Sequence, residues 1–128
     1  KERTAPFIST FFFFVLGYYL LRKGVLPPPV YSIYLGCTFS LLLLVIINFK
    51  WKISAHSIGI AGVLGTTVAL FQIHHFSNTL LLIALVVLTG LTLSSRLLLS
   101  AHSPAQIYAG AVVGFIVTYL TVLSEWII

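Results

Sequence analysis

Acidic residues are almost missing from this chain: among 128 residues there are two, Glu2 and Glu125. Cysteine occurs once, at Cys37, and methionine not at all. Charged residues of both signs make up 7% against 59% hydrophobic, and mean hydropathy is +1.12. Each shortage excludes something. With so few charges the chain cannot be a soluble domain, which could not hide this much apolar surface. A lone thiol rules out an internal disulfide, and in the middle of an apolar run it reads as a small packing residue. Two carboxylates, one near each end, do not build a site for a hard cation, so no metal or other cofactor is expected. Without methionine, Lys1 is not a natural start, and residues are expected to precede it, a further helix being one option.

What the chain does have is length of apolar run. Five uncharged stretches cover residues 4–21, 30–49, 53–73, 76–95 and 105 to about 123. A helix rising about 1.5 Å per residue needs about 20 residues to cross about 30 Å of hydrocarbon, so the first stretch is short and the rest fit. Runs such as "LLLLVII" lack the polar–apolar alternation of a barrel strand, and helices are the other way to satisfy a backbone in lipid. The first stretch has no small-residue cleavage site and is followed by "RKGVLPPPV", so it is not expected to be a signal peptide. The prediction is an all-α, polytopic integral membrane bundle of about five transmembrane helices. Residues 1–128 then form a single domain in a cell membrane, the inner one if bacterial.

Short connectors join the stretches: "RKGVLPPP" with helix-stopping prolines, "KWK", "HHFSN" and "RLLLSAHSP". Pro104 suits the first turn of the fifth helix, with Ser103 as its N-cap. Gly59, Gly62 and Gly65 recur by threes in the third stretch. Gly110 and Gly114 are four apart in the fifth, with Ala105 and Ala109 continuing the small stripe. Such spacings let helix backbones approach where lipid offers no hydrophobic drive, so the third and fifth helices are expected to pack through them.

If every stretch crosses, "KER", "KWKISAH" and "RLLLSAHSP" emerge on one face. That face collects Lys1, Arg3, Lys50, Lys52, His56, Arg96 and His102 against Glu2 alone. The outline is that of an anion site, for a phosphate or a lipid headgroup. The positive-inside rule would call this face cytoplasmic, but cations recruited to a site do not vote freely on orientation. No basic face remains outside the membrane for nucleic acid. His74 and His75 fall on the other face without further metal ligands, and Trp51 and Trp126 read as interface anchors.

"KISAHSIG" and "SSRLLLSAHSPAQ" carry a resemblance. They are similar to the second and third signature motifs of the type 2 phosphatidic acid phosphatase (lipid phosphate phosphatase) family. Ser54, Ala55 and His56 stand for that family's Ser-Gly-His, with Ile53 at its proline. Ser95-Arg96, five residues and His102 match the third motif, while Gln106 stands at its aspartate. The first motif, Lys, six residues, Arg-Pro, is not matched; "KERTAP" has Lys1, Arg3 and Pro6 at other spacings, and Lys50 or Lys52 is a candidate to supply the charge. The resemblance covers residues 52–114. It implies a phosphatidic-acid-phosphatase-like fold and a metal-independent phosphatase. His102 would attack a lipid phosphate, His56 would protonate the leaving alcohol, and Gln106 would accept the Nδ1 proton of His102. Arg96, Ser54, Ser95 and a lysine, with Arg3 and Lys1 nearby, would hold the phosphate oxygens. Arginine suits that role because its planar fork donates two parallel hydrogen bonds.

Three functions compete on these residues. The first is hydrolysis of a lipid phosphomonoester or diphosphate through a phosphohistidine. The second is a non-catalytic relative that binds phospholipid or phosphate, or a membrane assembly subunit, in which an oligomer would be natural. The third, a transporter, lacks a membrane-embedded acid and paired broken helices.

Overall fold

The computed structural model describes residues 3–124, and within them the chain is all-helical, with no strand. The helices are α1 (Thr4–Leu21), α2 (Pro28–Asn48), α3 (Ala55–Ile73), α4 (Thr79–Leu98) and α5 (Pro104–Leu123). All five are long and apolar enough to cross a bilayer, the build of a multi-pass membrane protein. Phe13, Leu80, Val87 and Ile116 are among many large apolar side chains left uncovered. Water would penalise such a surface, whereas lipid does not.

Local chemistry sets the ends. Pro28 and Pro29 open α2, where a missing N–H costs nothing, so the proline run of the first connector is partly the start of a helix. Asn78 caps α4, its Oδ1 accepting from Leu81 N at 3.0 Å. α4 consequently starts and ends three residues later than the apolar run 76–95, and Arg96 sits in its last turn rather than in the connector. Ser100 follows with φ 52°, a left-handed residue just past the helix that turns the chain toward α5.

The core is the crossing of α3 and α5. Gly62 and Gly65 meet Thr118, and Gly110 and Gly114 meet Ser54 and Ile58. The buried hydroxyl of Thr118 lies 2.9 Å from the carbonyl oxygens of both Gly62 and Gly114. Helices that close expose backbone carbonyls to each other, and a threonine in the crossing gives them a donor. The expected packing of the third and fifth helices through small residues is what the structure has, with one correction. Gly59 has no neighbouring atom where a Cβ would stand, because three-residue steps drift around a helix of 3.6 residues per turn. α2 packs on α5 through Gly36 and Thr118. α1 leans on α2, where Phe14 and Tyr34 stack with centroids 5.0 Å apart. α4 lies mainly along α3 and buries no residue.

A candidate anion site

One end of the bundle gathers the start of α1, the end of α2, the turn into α3, the end of α4 and the turn into α5. Between them is a cavity of about 320 Å³ walled by Arg3, Pro6, Phe7, Asn48, Ile53, Ala55, His56, Arg96, Ala101 and His102. The crossing count had placed Arg3, His56, Arg96 and His102 on a common face, and they share this cavity.

Each polar wall residue is held by its element. His56 is the second residue of α3, whose cap is Ser54: the Ser54 hydroxyl accepts from Ser57 N at 3.3 Å. Arg96 occupies the last turn of α4, where the helix dipole favours a cation by about 0.3–1 kcal/mol. That is less than the roughly 2.5 kcal/mol or more charged to an arginine at the centre of a bilayer, a depth that a helix end avoids. Its Nε atom is buried with no hydrogen-bond partner, a state that costs about 1–3 kcal/mol. Asn48 donates from Nδ2 to Thr4 Oγ1 at 3.2 Å, fixing α1 against α2 at the rim.

His102 is positioned by backbone. Its Nδ1 lies 3.1 Å from the carbonyl oxygen of Lys52. A carbonyl only accepts, so Nδ1 carries a proton, and in the neutral ring the lone pair is on Nε2. The Lys52 carbonyl is set by a tight turn, in which Trp51 N donates to Ile47 O at 2.8 Å and Ile53 N to Trp51 O at 2.9 Å. Ile53 then anchors the turn, buried against Leu44 and Ile58.

Several residues singled out by the motif lie elsewhere. Gln106 makes no hydrogen bond to the ring of His102; its Oε1 accepts from Ser103 N at 3.0 Å while Ser103 Oγ accepts from Gln106 N at 3.3 Å. This reciprocal capping box uses the amide where the motif suggested an orienting acceptor. Ser54 is fully buried with its hydroxyl committed to the cap of α3, so it is not a wall of the cavity. Ser95 turns its hydroxyl to Thr92 O at 2.8 Å. Lys50 and Lys52 are exposed and are not wall residues, although Lys52 serves the site through its carbonyl. Lys1 lies outside the described residues, as do Glu2, Glu125 and Trp126.

Sequence reading missed Asn48, Phe7, Ala101 and the Lys52 carbonyl. Asn48 had a signal, being an amide at the end of an otherwise apolar run. The carbonyl had none, since every residue carries one. Among the described residues no group of three His, Cys, Asp or Glu side chains could hold a metal. The cavity wall includes two arginines and two histidines, a set suited to an anion. No family model, curated protein or solved structure matches this chain.

Proposed function

We propose that this protein is a metal-independent phosphatase of the membrane, acting on a lipid phosphomonoester or diphosphate, and similar in chemistry to the type 2 phosphatidic acid phosphatases. The observation that carries the reading is the single cavity shared by Arg3, His56, Arg96 and His102. A phosphate suits two guanidinium groups beside two imidazoles. The guanidinium groups take its non-bridging oxygens and stabilise the charge that grows on them.

The tautomer of His102 supplies the nucleophile. The Nε2 lone pair forms a bond to phosphorus as the bond from phosphorus to the alcohol oxygen breaks, and His56 gives that oxygen a proton. His56 then takes a proton from water, the resulting hydroxide displaces Nε2, and inorganic phosphate leaves. Throughout, Nδ1–H stays on the Lys52 carbonyl, which fixes the ring without adding negative charge. The protein works in the cell membrane, the inner one if bacterial, on a substrate that reaches it through the bilayer.

One observation favours a second reading, a non-catalytic binder of phospholipid headgroups or an assembly subunit: His102 leans on a neutral carbonyl and not on a carboxylate. Phosphate release from dioctanoyl phosphatidic acid in detergent separates the two. Turnover is expected in the wild type, unchanged by chelators, abolished in His102→Ala and lowered about 100-fold or more in Arg96→Ala. A folded wild type that binds phosphate yet releases none makes the protein a binder; one that binds no phosphate ends both readings.

A further inference from the structure

We infer that the furrow between α1 and α3 seats one hydrocarbon chain of the lipid whose phosphate occupies the cavity at its mouth, an inference that rests on the phosphate reading above. No residue of α1 comes within 8 Å of α3, Cα to Cα, among the described residues, so α2 forms the floor of an open trough between them. The trough holds about 380 Å³, with Thr10 and Phe14 on one wall, Gly59 and Thr66 on the other, and Cys37 and Leu41 below.

It lies next to the anion cavity along α1 and α3, with Phe7, packed on the core of Leu44, Ile53 and Ile58, between the two. Phe7 and His56 close the cavity on its α1 and α3 sides, and Thr10 and Gly59, one turn deeper on the same helices, open the furrow. From Ile58 to Thr67 the trough follows nine residue steps of α3, about 14 Å at about 1.5 Å per residue. That is close to the depth of one leaflet, half of about 30 Å of hydrocarbon. A trough of this length, walled mainly by apolar side chains, suits a single extended alkyl chain.

The wall chemistry agrees. The hydroxyls of Thr10 and Thr67 turn back to the carbonyl oxygens of Pro6 and Val63, at 2.9 Å each, and that of Thr118 to Gly62. These threonines are thereby spent on their surroundings and leave no free donor for a polar solute. Ser40 on the floor, whose buried hydroxyl has no partner, and Thr66 on α3, whose hydroxyl makes no hydrogen bond among the described residues, are the exceptions. Gly59 is exposed beside the floor, so the trough opens sideways for a chain sliding in from the bilayer.

The test compares ethyl phosphate with dodecyl phosphate, which share a headgroup and differ in the chain, by calorimetry on the full chain in one detergent. Micelle partitioning of the dodecyl chain is common to all variants and cancels between them. Gly59→Leu fills the trough from α3, where an added Cβ meets nothing within 4 Å; Thr10→Phe fills it from exposed Thr10 on α1. In each folded variant the preference for dodecyl over ethyl phosphate is expected to fall at least about tenfold, with ethyl phosphate affinity held within about twofold. A dodecyl phosphate carrying a terminal diazirine is expected to label Phe14, Cys37 or Thr66. An unchanged preference in either folded variant, or labelling confined to α4 and the outer face of α5, overturns the furrow while leaving the phosphate site standing. Failure of ethyl phosphate to bind the wild type overturns the phosphate site itself, in an arm that involves no chain.

Discussion

The Nδ1 atom of His102 and the carbonyl oxygen of Lys52 meet at 3.1 Å across fifty positions of sequence. One contact joins the turn before α5 to the turn before α3, and it selects the tautomer that the neutral ring presents to the cavity. A carbonyl in this place means that no side-chain substitution at position 52 removes the hydrogen bond. Lys52→Ala is therefore expected to leave phosphate affinity and turnover within about threefold, since the exposed ammonium is not a wall of the cavity. A loss of about 100-fold in either measurement would return the side chain to the site.

Gln106 separates a capping role from an orienting one. Gln106→Ala removes half of the capping box at the start of α5 and is expected to lower stability by about 0.5–2 kcal/mol in a denaturation assay. Phosphate affinity and turnover at a temperature where the protein is folded should change little. A collapse of turnover at unchanged stability would show that the amide acts on the His102 ring.

The turn that carries the Lys52 carbonyl depends on Ile53, which is 2% exposed. Ile53→Ala leaves a cavity beneath it and is expected to cost about 2–5 kcal/mol. Because the turn then loosens, kcat should fall more than phosphate affinity, which depends on Arg3 and Arg96. Ile53→Val, a smaller truncation, is expected to restore most of both.

Two glycines on neighbouring helices make opposite predictions. An added Cβ at Gly114 falls on the Ile58 carbonyl, and that atom is backbone and cannot step aside. Gly114→Ala is expected to force α3 and α5 apart and to lower stability by about 1–3 kcal/mol or more. Gly59→Ala meets nothing and should be neutral or stabilising by up to about 1 kcal/mol. Thermal unfolding in detergent checks both, and equal effects would contradict the close crossing.

Ser100 adopts φ 52° between α4 and His102. Glycine takes that conformation without the Cβ penalty, so Ser100→Gly is expected to stabilise by up to about 1 kcal/mol, and Ser100→Val to destabilise by a similar amount or more. The same thermal assay reads this pair.

Much of the fold was legible because membrane helices are written in uninterrupted apolar length, and α1 was readable to the residue as residues 4–21. The joint placement of Arg3, His56, Arg96 and His102 was also legible, since counting crossings assigns a face to every connector. The α3–α5 crossing followed from small residues at helical spacing. These are local or one-dimensional properties, set by side-chain size and polarity along the chain.

Tertiary structure decided the rest. Whether Ser54 and Gln106 serve a ligand or a helix end depends on where the nearest orphan N–H lies, and both are taken by caps. Which of Arg3, Lys50 and Lys52 reaches the cavity depends on how the turns fold over it, and only Arg3 does. The partner of His102 is a backbone atom, and backbone atoms have no letter in a sequence. The furrow between α1 and α3 is a spacing between two helices whose Cα atoms stay more than 8 Å apart, which no pattern on either helix records; α1 is held by α2, and α3 by α5.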